Sequence, residues 1–276
     1  MARKPRIDAQ AGTASPLGVA ISQNDQDTMT MVRTALERRL VKLAFQPVVL
    51  ARDPGRVAFH EALIRLMDGN GRIIPARDFM GAVEAQEMGR EIDCIALELG
   101  IDTLARNPGL RIAVNMSARS IGYPRYQRAL DQGLKAHPGV AERLILEINE
   151  SSAMLVPEIV TAFMDELQGR GVAFALDDFG SGPTIVRLFK EFFFDMVKID
   201  GQFVRNLHLD PANQSVVAAL MSVAKQFDMY VVAEAVESEP EAAVLRAMGV
   251  DCMQGYLFGA PTVRPAWMAE KARKRA

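Results

Sequence analysis

The feature that most constrains the fold is a series of eight short apolar, β-branched runs, most of them separated by longer amphipathic segments. The runs are Leu43–Leu50, Val57–Leu66, Arg111–Ser117, Arg143–Glu150, Val172–Asp178, Met196–Asp200, Tyr230–Glu237 and Cys252–Phe258. Helical spacing of apolar residues fills most of the gaps, as in Ala76–Ala105, Glu158–Arg170, Ser215–Phe227 and Glu239–Met248. Eight strands with intervening helices over about 250 residues predict an α/β fold of the TIM-type (β/α)8 barrel. Several runs are almost continuously apolar, as strands covered on both faces must be. The first two runs break the pattern. Only the short Ala51–Arg56, with its Pro54-Gly55, separates them, which suits a hairpin and leaves one strand antiparallel to the rest.

The remaining sequence sets outer bounds. Residues 1–25 are polar and aperiodic and read as a disordered arm, and 26–276 read as a single barrel domain. Within that domain Thr28–Lys42 has a helical pattern, with Met31, Ala35, Leu36 and Leu40 on one side. Acidic and basic residues number 34 and 32, which argues against a general surface for polymeric nucleic acid. An anionic substrate must therefore be met locally, by a few placed cations or a metal. Cys94 and Cys252 make no disulfide scaffold, and a reducing cytoplasm is the expected setting. No run reaches the roughly 18 apolar residues of a membrane span. The basic N-terminus lacks the apolar core of a secretory signal. His60, His137 and His208 lie far apart and share no ligand spacing.

The polar residues fall where such a barrel gathers its active site, at the C-terminal ends of strands. The first run brings Gln46, the second Glu61, the third Asn115 and the fourth Glu147 and Glu150. The fifth ends in Asp177-Asp178, followed by Gly180 and Gly182; the sixth carries Lys198 and Asp200. The seventh carries Glu234 and Glu237, and the eighth Gln254. A solvated Asp-Asp turn before a helix would explain the acidic pair alone, and an isolated salt bridge would explain any one of the others. Charged groups converging from every strand are harder to explain so, because burial is costly unless they are paired or metal-bound. Oxygen donors without Cys or His favour a hard cation, Mg²⁺ or Mn²⁺. Five carboxylates can hold two such ions, an arrangement suited to phosphodiester hydrolysis, with Lys198 placed to hold water or neutralise charge.

At this point the motifs become recognisable. Glu61-Ala62-Leu63-Ile64-Arg65 resembles the signature of the EAL-domain cyclic-di-GMP phosphodiesterases. The resemblance runs from about Leu43 to Pro261, through Phe45-Gln46-Pro47-Val48, Val114-Asn115-Met116-Ser117, Leu146-Glu147-Ile148-Asn149-Glu150-Ser151, Asp177-Asp178-Phe179-Gly180, Lys198-Ile199-Asp200, Ala233-Glu234-Ala235-Val236-Glu237 and Gln254-Gly255-Tyr256. It implies an EAL-domain fold, a barrel with one antiparallel strand, and metal-dependent opening of cyclic di-GMP, a bacterial second messenger, to linear pGpG. By the resemblance, Glu61, Asn115, Glu147 and Asp177 hold a first Mg²⁺ or Mn²⁺, and Asp177, Asp178 and Glu234 a second. Glu61, Lys198, Glu234 and Glu150 make up the catalytic set. Lys198 and Glu234 handle the attacking water, and Glu150 pins the loop after Val172–Asp178. Gln46, Leu63, Arg65 and Gln254 contact the dinucleotide, with Asp200 and Glu237 grouped beside them.

The resemblance further implies a homodimer through that loop; with no fused sensory domain expected from the sequence, regulation is expected to come from dimerisation or from another protein. Three positions depart from the family pattern. Pro183 stands where an aromatic is usual, Asn149 where threonine is usual, and Leu66 where an aromatic follows the arginine. None removes a metal ligand. The competing reading is a weak or inactive receptor that binds cyclic di-GMP without cleaving it.

Overall fold

A computed structural model describes residues 16–182 and 189–268, with side chains described from residue 25 onward. Among them, α1 (Pro16–Glu37) leads into a hairpin of β1 (Val41–Leu50) and β2 (Asp53–Met67). The short β3 (Ile73–Pro75), α2 (Met80–Val83) and α3 (Glu87–Arg106) follow. Then come β4 (Ile112–Met116), α4 (Pro124–Ala136), β5 (Leu144–Asn149), α5 (Glu150–Ala153), α6 (Pro157–Gln168) and β6 (Ala173–Phe179). The chain finishes with β7 (Met196–Ile199), α7 (Gly201–Val204), α8 (Pro211–Gln226), β8 (Tyr230–Ala233), α9 (Glu239–Met248) and β9 (Cys252–Gln254).

The sheet runs β1-β9-β8-β7-β6-β5-β4-β2 and closes through β1–β2 pairing, with β3 hooked onto the far end of β2. β1 is antiparallel to both neighbours, β2 and β9. The other barrel pairs are parallel. This is the mixed barrel with one reversed strand that the short Ala51–Arg56 link predicts.

The helix expected over Thr28–Lys42 is displaced. It begins at Pro16, inside the stretch expected to be a disordered arm, and stops at Glu37; residues 1–15 lie outside the described residues. Arg39 takes a left-handed φ of 54°, and the Leu40 N–H turns back to the Ala35 carbonyl at 2.8 Å. That closes the helix early and lets Val41 and Lys42 open β1. Val32, Ala35 and Leu36 anchor α1 in the core. Ala76–Ala105 is likewise a 3₁₀ turn, the single turn α2 and then α3. Pro183, with most of the loop Gly180–Val186, lies outside the described residues.

Two layers fill the barrel. A small apolar cluster of Val48, Phe59, Ala113, Ile145, Ala175, Val232 and Cys252 plugs its lower half and is separate from the larger core under the helices. Side chains on a strand return to the same face every second residue. The interior positions one step above the plug are therefore Glu61, Asn115, Glu147, Asp177, Glu234 and Gln254, together with Lys198 above Met196. On β1 the polar residue is Gln46, two positions before Val48 because that strand runs the other way. The plug thus sets the floor on which a ring of polar groups stands.

Candidate active site

Lys198 is the hub of that ring. Its side chain is 1% exposed, and its Nζ lies 3.2 Å from Glu61 Oε2, 3.0 Å from Glu147 Oε2, 3.1 Å from Asp177 Oδ1 and 2.8 Å from Glu234 Oε1. Burial alone would lower the lysine pKa, but Asp177, Glu147, Glu234 and Glu61 hold it well above its ordinary value. One lysine thus faces four acidic side chains. The excess shows in the acids. Burial pushes Glu234 up to about 8, with Lys198 opposing and Asp177 and Glu61 adding to the rise. Burial likewise raises Glu147 well above the carboxylate range. For Glu61 burial is outweighed by Lys198 and by hydrogen bonds from Gln254 and Asn115, and its pKa falls.

Amides brace this centre. Asn115 Nδ2 donates to Glu61 Oε1 at 2.8 Å, which leaves the Asn115 carbonyl oxygen as its free donor atom for a cation. Gln254 Nε2 donates to Glu61 Oε2 at 2.6 Å and to Gln46 Oε1 at 3.1 Å, and Gln46 Nε2 in turn donates to the Gly259 carbonyl.

The two adjacent aspartates reach the same side by a device different from the expected strand end. β6 continues to Phe179. Leu176 pairs with Val197 and Phe179 with Ile199, so Asp177 and Asp178 together oppose the single Lys198. This is a β-bulge, and Asp178 sits in it with a left-handed φ of 55°. Oxygens of Asp177, Asp178 and Glu234 consequently lie within 4.8 Å of one another. Burial and the neighbouring Asp177 and Asp200 raise Asp178 to about 6.

The donor set fits a hard divalent cation. All ligand atoms are oxygens, and Glu147 Oε1 and Asp177 Oδ1 are buried without a hydrogen bond. The latter touches Lys198 Nζ as an ion pair without hydrogen-bond alignment. A second positive charge near these atoms would offset the burial and the mutual repulsion that raise Glu147, Asp178 and Glu234.

Above the ring opens a cleft of about 520 Å³. Of the residues expected to contact substrate, Gln46, Leu63, Asp200, Glu237 and Gln254 line it, beside Glu61 and Glu234. Glu237 stands on the loop beyond β8, since that strand ends at Ala233 and not at Glu237. Arg65 lies close to the cleft residues Glu61, Arg77 and Tyr256. It is half-buried, and its Nη1 donates to the Ile64 carbonyl at 2.8 Å. Glu150 opens α5, outside the ring, and its Oε2 accepts the Gly180 N–H at 3.0 Å. The cleft also takes in Arg77, Gln202, Arg205 and Tyr256, none of which the sequence singles out as site residues. Asp200 and Tyr256 sit in recognised motifs, which offer a signal for Gln202 and Tyr256. Arg77 comes from the turn after β3 and has none.

Fold and site together define a mixed α/β barrel carrying a buried cluster of acidic and amide side chains around one lysine at its C-terminal mouth. The EAL domain model matches residues 29–261, and the chain belongs to the EAL domain family. It is 31% identical over 237 residues to the cyclic di-GMP phosphodiesterase PdeF of Escherichia coli K12, covering 84% of this chain and 31% of that protein. It is 32% identical over 250 residues to the cyclic di-GMP phosphodiesterase PdeR of the same organism, covering 89% and 37%. The chain thus spans about a third of the length of these curated relatives. Among solved structures, the MucR phosphodiesterase in complex with c-di-GMP superposes with a TM-score of 0.75 at 28% identity, covering 88% of this chain and 99% of that one. The FimX EAL domain from Pseudomonas aeruginosa bound to c-di-GMP gives 0.78 at 26%, covering 86% and 97%.

Proposed function

We propose that the chain hydrolyses cyclic di-GMP to linear pGpG with two divalent cations, Mg²⁺ or Mn²⁺. The observation that carries this reading is the ring of Glu61, Glu147, Asp177 and Glu234 around buried Lys198, with Asp178 brought alongside by the bulge. The c-di-GMP in the MucR and FimX structures supports the choice of substrate. Glu61, Asn115, Glu147 and Asp177 would hold one ion, and Asp177, Asp178 and Glu234 the other. When bound, such ions supply Lewis-acid stabilisation of charge on the phosphodiester and lower the pKa of a nearby water.

The chain's own groups do the rest. Water adds to one phosphorus, the P–O3′ bond breaks, and the departing 3′-oxygen takes a proton. Lys198 Nζ holds fixed positive charge under the reacting phosphate and orients the carboxylates around it. Glu234, whose Oε1 lies 2.8 Å from Lys198 Nζ, would take the water proton at its carboxylate. Gln46, Leu63 and Gln254 form the cleft floor against which the dinucleotide rests. Arg77 offers a cation for the non-reacting phosphate, and Tyr256, 60% exposed, an aromatic face for a guanine. The reading includes a cytoplasmic homodimer formed through the loop after β6 and governed by a regulatory protein.

Purified protein incubated with cyclic di-GMP and Mg²⁺ or Mn²⁺ is expected to yield pGpG, and excess chelator to stop it. Nucleotide that binds but stays intact with either metal would replace this reading with that of a receptor domain.

A further inference from the structure

Asn149 ends β5 one pleat above Glu147 and pairs in register with Asp177. Its side-chain oxygen caps α5, accepting the Ser151 N–H at 2.9 Å and the Ser151 hydroxyl at 2.5 Å. Those two donors fix which end of the amide is which, because only the oxygen can accept them. The Asn149 Nδ2 is therefore aimed across the bulge, where it donates to Asp178 Oδ2. Asp178 needs such an anchor. It stands in left-handed backbone beside Asp177, with Asp200 nearby, and both carboxylates repel it. Among the described residues, the Asn149 amide is the hydrogen-bond partner the structure gives its side chain.

We propose that Asn149 is a positioning residue for Asp178: its amide, locked by the helix cap, ties down one carboxylate oxygen and presents the other to the second cation. The inference rests on the two-cation reading above. A tether of this kind costs the ion nothing in charge, since asparagine is neutral, and it removes the freedom of Asp178 to swing away from Asp177 and Glu234. Hydrogen-bond partners that orient metal ligands typically govern affinity by about 10–100-fold.

Two variants separate tethering from capping. The threonine side chain in N149T keeps an oxygen that caps Ser151, but its hydroxyl branches directly from Cβ and falls short of Asp178; N149A loses both contacts. Calorimetric titration of the nucleotide-free proteins with Mn²⁺ is the measurement, alongside melting temperatures. Wild type is expected to take two equivalents. N149T should weaken the second equivalent by about 10–100-fold while the first equivalent and the melting temperature stay at wild-type values; N149A should show the same selective loss and melt lower. A second equivalent in N149T as tight as in wild type overturns the proposal. So does equal weakening of both equivalents with a lower melting temperature in N149T, which would make Asn149 a purely structural residue. Fewer than two equivalents in the wild type would instead overturn the two-cation reading itself, before any variant is compared.

Discussion

Asp177 is the residue on which both proposed ion sites depend, because it borders Lys198 on one side and Asp178 with Glu234 on the other. Asp177→Asn keeps the shape and removes the charge. Turnover of cyclic di-GMP is expected to fall by at least about 100-fold, with the melting temperature within a few degrees of wild type. Near-normal turnover by metal-saturated variant would place the chemistry elsewhere. Asp93, outside this site, shows burial outweighing hydrogen bonding. It lies in α3, where its Oδ2 accepts the Ser117 N–H at 2.9 Å and the Ser120 hydroxyl at 2.6 Å. Burial raises it from 3.8 to about 7, and those two hydrogen bonds do not offset the cost. The folded state therefore binds this proton more readily than the unfolded one. Its effect makes stability fall as pH rises from about 3.8 to about 7 and stay level above that. Asp93→Asn can keep both accepted bonds and carries no titrating proton. Its thermal stability is expected to decline less over that window, measured as melting temperature against pH for the two proteins in chelator. Parallel curves would mean that Asp93 titrates normally. The ring residues are legible in the sequence because charge inside an apolar strand is conspicuous. The hydrogen bond from the Arg65 guanidinium to the Ile64 carbonyl is not, because nothing in the neighbouring residues marks it.

At the scale of elements, what the sequence makes plain is periodicity, and what it hides is where the chain deviates from it. All eight barrel strands coincide with apolar runs; most ends shift by a single residue, and β8 and β9 stop well short of theirs. β6 runs through Asp177-Asp178 because a bulge, which has no composition of its own, absorbs the extra residue. β8 and β9 stop at Ala233 and Gln254, where tight backbone packing takes over. There Val236 N–H donates to the Gln254 carbonyl and Leu257 N–H to the Val236 carbonyl, at 2.9 and 3.1 Å. Gly255 sits between them with no room to spare: a Cβ would lie 1.9 Å from the Val236 carbonyl oxygen and 2.4 Å from its nitrogen. Glycine is required there by contact and not by conformation. Gly255→Ala must push these strand exits apart, at a cost of roughly 2–3 kcal/mol. That corresponds to a melting temperature lower by roughly 5–10 °C. Because Gln254 holds Glu61 and Gln46, activity is expected to fall as well. A variant with unchanged melting temperature and turnover would show that the exits have slack.

The whole molecule is a barrel built around a charge that it could not otherwise bury. Eight strands converge on Lys198, and their interior positions supply an apolar plug below it and carboxylates around it. Removing a buried charge's partner leaves the others uncompensated, which costs about 3–5 kcal/mol, whereas replacing a complete set with apolar groups need not. Lys198→Met tests this because methionine fills most of the volume and leaves Glu61, Glu147, Asp177 and Glu234 facing one another without a cation. Measured in chelator, the variant is expected to melt about 10 °C below wild type. A divalent cation seated among the same oxygens would substitute for the lost ammonium. Mn²⁺ should therefore raise the melting temperature of Lys198→Met by more than it raises that of wild type, following ligand linkage. Equal shifts in the two proteins would mean that the cation and the lysine do not answer the same repulsion. The ring would then be an ion-pair network beside the metal site, and Lys198 would not be its centre.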